Sequence, residues 1–367
     1  MTGVEMSSTA RRPLPDGVVD LAAGDVRLPF PHPDGVSRTI GPADQAYADT
    51  AGDPDLRSRI AAYATGTAPV TAGQVLVTPG ARTAVFLTLL QATGRDVLLP
   101  VPHWGSYPAL VQCAGAHPVD YGPYPEVTAL EAARTSRTAI VVINSPRNPD
   151  GAVVDADTVT AVLGWAHQHG IIVLFDQVYR GLATPTTPSP LELTDTLAPH
   201  CVVVDGLTKS HAAAGIRLGW AITGDLMPAL TAVASHLIGG VSTRTQQAAL
   251  AALTAPAGTR TAALADLADQ VRQTAARLDA IPGVRCPAPD AGFFLFPDLR
   301  GWLATIAPGP RSDVTAWLRH EHGVAVVDGA AFGTPGHIRL SAAVDAPTLA
   351  TGLQRLTAAL TTTSAET

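Results

Sequence analysis

The chain has 367 residues, 46% of them apolar and 15% charged, with a formal net charge of −7. That length suffices for one or two domains with filled cores, and the apolar content argues against a disordered or low-complexity chain. The acidic balance offers no basic field to a phosphate backbone, so no nucleic-acid partner is expected.

Cys113, Cys201 and Cys286 lie far apart and in no ligand-like spacing. They suggest neither a disulfide framework nor a metal site, and fit a reducing compartment. Arg11 and Arg12 are followed by no apolar segment, and no run of 18 apolar residues occurs. The expectation is a cytoplasmic protein with no membrane span. One count is sharper: of 24 basic residues, 23 are arginine and one is lysine, Lys209. Arginine keeps its proton and cannot become an amine nucleophile, so the lone lysine is a candidate for covalent chemistry.

In chain order, residues 1–35 are rich in proline and glycine and read as an extended arm. From 75 to 225, short apolar runs alternate with longer helix-like stretches, the pattern of an α/β fold. The runs are VLVTPG (75–80), DVLLPVPHW (96–104), AIVVINSPRN (139–148), IIVLFDQVY (171–179), CVVVDGLTK (201–209) and LGWAI (218–222). Most are continuous rather than alternating, as in strands covered on both faces. Ligands of open α/β sheets lie beyond the carboxyl ends of the strands, so Trp104, Asn148, Asp176, Tyr179 and Lys209 are expected to converge on one crevice. Residues 243–281 then read as one long alanine-rich helix. After IPGVRCPAPDAGFFLFPDL come a helix near 311–322, the strand-like GVAVVD and HIRLSAAV, and a helix near 346–362. This second stretch reads as a smaller α+β unit.

At Asn148, Asp176, Tyr179, Lys209 and Arg217 the chain resembles the fold-type I pyridoxal-phosphate (PLP) enzymes, specifically the class I/II aminotransferases of the aspartate and histidinol-phosphate type. GLTKSHAAAGIRLGW (206–220) is similar to the family's S-x-[ST]-K-x(5)-G-x-R-x-G, FDQVY to its D-x-x-Y, and NSPRNPDG (144–151) to its N-P-x-N-P-[TS]-G. LAAGD (21–25) and YADTAGDPDLRSRI (47–60) resemble its arm and its Y-x(4)-G-x(3)-L-R segment.

The resemblance implies a large domain with a mostly parallel seven-stranded sheet between helices, over 36–245. A small α+β domain over 246–367 would be joined by the arm, 1–35. It implies that Lys209 forms a Schiff base with PLP and moves protons, that Asp176 faces the pyridine nitrogen, and that Tyr179 and Asn148 hold the phenolic oxygen. Arg217, Thr208 and the Gly80–Ala81–Arg82 turn would take the phosphate, and Trp104 would stack on the ring. Arg339, with Gly24 and Asn148, would bind the substrate α-carboxylate, and Tyr47 would reach the neighbouring subunit of a homodimer. The implied substrates are an amino acid and a 2-oxo acid.

Three positions depart from the pattern: Gly206, where a phosphate-touching serine or threonine is common, Asp150 and Asp328. Arg82 could supply the charge missing at Gly206. His103, Tyr107, Tyr121 and His211 are further candidates for lining the pocket.

No G-x-G-x-x-G follows the first strand, and GLTKSH lacks P-loop glycine spacing, so dinucleotide and P-loop readings find no support. HQH (167–169) and HEH (320–322) place histidines two apart, on different faces of a helix, so neither chelates a metal. Within the fold, the same lysine could serve a cyclase, a lyase or a decarboxylase. Arg339 favours reactions that keep the carboxylate, transamination first among them. A catalytically idle ligand-sensing domain of this fold is the remaining alternative, and the presence of the lysine argues against it.

Overall fold

A computed structural model describes residues 14–27, 46–64, 69–182, 187–256, 258–306 and 313–361. Of the proline-rich arm, only residues 14–27 fall within that range.

The centre is a seven-stranded sheet built from β2 (Val75–Thr78), β3 (Asp96–Pro100), β4 (His117–Gly122), β5 (Thr138–Asn144), β6 (Ile172–Asp176), β7 (Cys201–Gly206) and β8 (Gly219–Ile222). Their order is β2-β8-β7-β6-β5-β3-β4. Only β8 runs against the others. The six runs expected from the sequence are all strands. The seventh, β4, carries exposed His117 and Asp120 and a proline at its second position. It is an edge strand, where proline and charge are tolerated, and so shows no apolar run.

Side chains alternate across the sheet, and both faces are covered. Leu76, Leu99, Val142, Leu174, Val204 and Ala221 pack in one apolar cluster with the helices Ala81–Leu89, Tyr107–Cys113 and Met227–Leu237. Val77, Leu98, Ile143, Phe175, Val203 and Trp220 face the other way, onto Pro54–Ala64, Ala156–His169 and Thr243–Thr254. Burial on both faces makes these strands continuous apolar runs, and at about 25 cal/mol per Å² it is the main force holding the layers together.

The expected single helix over 243–281 is two helices, Thr243–Thr254 and Gly258–Asp279. Pro256 causes the break: it disfavours helical geometry in the residue before it, and Ala255 is extended at φ −61, ψ 144. The division expected at 245/246 falls inside the first of these helices, whose Ala249, Ala252 and Leu253 belong to the sheet's core. The second helix packs elsewhere. Its Leu267, Val271 and Leu278 join a separate cluster with Phe294, Ile338, Leu353 and Leu356. There β9 (Phe294–Leu295), β11 (Val327–Asp328) and β12 (Ile338–Ser341) form an antiparallel sheet in the order β11-β12-β9. β1 (Val19–Asp20) of the arm pairs in parallel with β10 (Val324–Ala325), and Leu21 and Val26 enter the same cluster.

Candidate active site

Three of the parallel strands end in residues of the site. Asn144 and Asp176 close β5 and β6, and β7 ends at Gly206, where the short helix Leu207–Ser210 carries Lys209. Beyond these ends lies a cavity of about 500 Å³. Lys209, Thr208, Asp176, Tyr179, Asn148, Trp104, Ala81, Arg82, Arg217, Gly24 and Arg339 line it, so eleven of the thirteen expected site residues meet in one place. Gly80 sits just behind. It caps the helix Ala81–Leu89 at φ 82, and a Cβ there would come within 2.8 Å of Nη2 of Arg217. Tyr47 is fully exposed and does not reach the cavity of its own chain.

The Lys209 ammonium donates to the carbonyl of Gly24 at 2.5 Å. Desolvation, aided by repulsion from Arg339, Arg217 and Arg82 and opposed by Asp25, pushes its pKa down to about 8. Asp176 is buried, which raises its pKa, while the Tyr107 hydroxyl (2.7 Å), the Val178 amide (3.2 Å) and the charge of Lys209 oppose the rise. Asn148 donates to the Tyr179 hydroxyl at 3.3 Å, and burial pushes that phenol above its ordinary range. Asn144 fixes the loop from below: its Oδ1 accepts the Asn148 amide at 2.9 Å, and its Nδ2 donates to the Asp176 carbonyl at 3.0 Å.

Arg339 is fully buried. Its Nη1 donates to Asn148 Oδ1 at 3.0 Å and its Nη2 to the Ala22 carbonyl at 3.1 Å, while Nε has no partner among the described residues. Burial pushes its pKa down to about 10. At the opposite end, Arg82 lies over Trp104, 4.9 Å from the ring centre, and its pKa is lowered by burial and by Arg217. Arg217 adopts φ 57, a left-handed conformation that costs a non-glycine residue about 1 kcal/mol. Two guanidiniums beside a helix N-terminus form an anion site.

The other four lining candidates stand behind the cavity wall rather than on it. Tyr107 holds Asp176 from the core, and Tyr121 donates to the Val142 carbonyl. His211 bonds Ser210 and Arg260, and the His103 amide donates to the Phe332 carbonyl. The departures from the family pattern have local explanations. Asp150 pairs with Arg147, and Asp328 caps the turn at Ala330. A Cβ at Gly206 would meet Gly219 Cα and the Leu218 carbonyl at 3.0 Å.

A doubly covered, mostly parallel sheet with a desolvated lysine facing a buried aspartate across a cationic cavity defines a fold-type I PLP enzyme. Residues 16–356 match the family described as aminotransferase class I and II. An aspartate aminotransferase of Streptomyces avermitilis is 34% identical over 92% of this chain and 88% of its own. One of Bacillus subtilis is 29% identical over 92% and 90%. Among solved structures, the aspartate aminotransferase of Rhizobium meliloti superposes with a TM-score of 0.85 at 27% identity, covering 95% of this chain and 92% of that one. That of Thermus thermophilus with maleate gives 0.81 at 29% identity, covering 93% and 91%.

The chain belongs to the class I and II aminotransferases. It is a PLP-dependent enzyme acting on an amino acid and a 2-oxo acid, and the cyclase, lyase and decarboxylase readings are not favoured. The cavity fits the cofactor part by part: an amine for the aldehyde, a buried carboxylate for the ring nitrogen, a phenol and an amide for the phenolic oxygen, and an arginine pair for the phosphate. Among the described residues, no helix is long and apolar enough to cross a membrane.

Proposed function

We propose that this aminotransferase takes aspartate as amino donor and passes the amino group to a second 2-oxo acid. The observation that carries the reading is the charge of the one cavity, in which Arg82, Arg217 and Arg339 accompany Lys209. Arg82 and Arg217 are placed for the cofactor phosphate and Arg339 for the α-carboxylate, so the cavity is cationic at both ends. A field of that sign draws in a doubly anionic substrate. The names of the relatives and the maleate, itself a dicarboxylate, in the Thermus structure support the same choice.

When bound, PLP supplies an electron sink for the pair left when the Cα–H bond breaks. The protein's residues do the rest. Asp176 holds a proton on the ring nitrogen, and the Tyr107 hydroxyl favours the ionised form of that carboxylate against the effect of burial. Tyr179 and Asn148 hydrogen-bond the phenolic oxygen, and Trp104 presses the ring in place. Arg217, Thr208 and the amides following Gly80 hold the phosphate, with Arg82 replacing the hydroxyl that Gly206 cannot provide. Arg339 presents its remaining Nη protons to the α-carboxylate beside Asn148 and Gly24, which orients Cα–H toward Lys209. Lys209, with its low pKa, takes the proton from Cα and returns it on the other side of the exchange. Exposed Tyr47 reaches the partner's phosphate in a homodimer. The large domain extends from 36 to Ala255, the small domain follows Pro256, and the enzyme works in the cytoplasm.

The test is a single turnover of PLP-loaded protein with each of a panel of amino acids and no acceptor. Aspartate should release about one equivalent of oxaloacetate per site, and Lys209→Ala should release none. Release of a different 2-oxo acid, with none from aspartate, would overturn the choice of donor.

A further inference from the structure

We propose that Phe332 is a positioning residue for both halves of the site: its ring fixes Arg339, and its main chain fixes the loop that carries Trp104. The proposal rests on the reading of Arg339 as the group that binds the substrate α-carboxylate. Phe332 is fully buried at the end of the turn Gly329–Phe332. Its ring centre lies 4.9 Å from Cζ of Arg339, and that of Phe294 lies 4.1 Å away. A guanidinium held over aromatic rings keeps its hydrogen-bonding edge free in its own plane, which suits a fork meant for a carboxylate. The ring contact matters because, among the described residues, the Arg339 side chain is anchored by Asn148 and the Ala22 carbonyl and its buried Nε has no partner.

The carbonyl of the same residue accepts the amide of His103 at 3.1 Å, one position before Trp104. The next residue, Gly333, leaves no slack. A Cβ there would lie 3.3 Å from Val101 Cγ1 and 3.4 Å from His103 Nε2. Trp104 packs edge-on against Tyr107 at 5.2 Å, and Tyr107 donates to Asp176. A shift of Phe332 therefore reaches the carboxylate clamp through its ring and the ring-stacking loop through its carbonyl.

The test uses the PLP-loaded enzyme and succinate, an unreactive dicarboxylate, with binding read from the cofactor absorbance. PLP affinity of the cofactor-free protein is read separately from tryptophan fluorescence. Phe332→Leu should weaken succinate about ten-fold, the size of a desolvated cation–π contact, and Phe332→Tyr should restore it. PLP affinity should stay within about two-fold, because the main-chain bond from His103 to Phe332 that holds the Trp104 loop survives an exchange of the side chain. Phe332→Met serves the same purpose if the leucine variant does not fold. Wild-type succinate binding in the leucine or methionine variant, or an equal loss in the tyrosine variant, overturns the proposal. Arg339→Lys separates the two readings. If it leaves succinate binding unchanged, the role of Arg339 itself fails. If it weakens binding while the ring-less variants do not, only the role of Phe332 fails.

Discussion

The depressed pKa of Lys209 predicts how the protein captures its cofactor. Only the neutral amine attacks an aldehyde. With a pKa of about 8 in place of the ordinary 10.5, about 9% of the lysine is neutral at pH 7 rather than about 0.03%, a gain of about 300-fold. The association rate of cofactor with the cofactor-free protein, followed by stopped-flow absorbance from pH 6 to 10, should rise with pH and level off with a midpoint near 8. Pyridoxal, which has no phosphate to titrate, should show the same midpoint. The linkage to stability has the opposite sign from that of a lysine gaining a partner. Between pH 8 and 10.5 the unfolded chain binds the proton and the folded one does not, so stability rises with pH through that window. Below pH 8 the penalty is complete, up to about 3 kcal/mol, and Lys209→Met should stabilise the cofactor-free protein by up to that amount. A midpoint at or above 10, with no stabilisation by methionine, would refute the desolvation argument.

Tyr107→Phe removes a buried hydrogen bond to ionised Asp176, worth about 1.5–3 kcal/mol. The hydroxyl favours the ionised form, so its loss raises the Asp176 pKa further, and the acidic limb of kcat/KM should move to higher pH; an unmoved limb contradicts this. Arg82→Met should weaken PLP about five- to ten-fold while leaving pyridoxal unaffected, because only the phosphate loses a partner; equal losses for both would place Arg82 elsewhere. Gly206→Ser restores the usual hydroxyl but puts a Cβ 3.0 Å from Gly219 Cα. It should therefore lower thermal stability, by about 1–3 kcal/mol, without tightening PLP binding, and tighter binding would show that the strand ends can part.

The sequence was most legible where a residue was singular or sat in a motif: Lys209 stood out as the lone lysine, Asp176, Arg217 and Arg339 through segments that resemble the family's, and all four line one cavity. Doubly covered strands were equally plain, because burial on both faces leaves an unbroken apolar run. What escaped depends on distance along the chain. Tyr107 bonds Asp176 across 69 residues, so it passed for a lining candidate when it is the carboxylate's anchor. Phe332 reads as an ordinary core aromatic until its neighbours are known. Edge strand β4 lacks the apolar signature because half of it meets water. The break at Pro256 was readable from local sterics alone, but the alanine-rich pattern on either side masked it.

The cavity's charges explain why these particular groups are expensive to the empty fold and useful to the loaded one. Desolvation first, and then the charges of Arg339, Arg217 and Arg82, lower Lys209, and desolvation and Arg217 lower Arg82, so buried like charges are held together against their repulsion. Asp176, partly offset by Tyr107 and Lys209, is itself resisted by burial. None of these charged groups belongs to the apolar clusters that hold the layers together, although Val85, Tyr179 and Phe294 of those clusters line the cavity. Each cost is relieved by a different part of a phosphorylated pyridine or a dicarboxylate. Ligand binding therefore recovers free energy that folding spent, and the protein's stability should follow cofactor concentration by mass action. The same argument explains why the one lysine survives in a chain otherwise furnished with arginine. At that position repulsion has to be able to remove a proton, and a guanidinium would keep it.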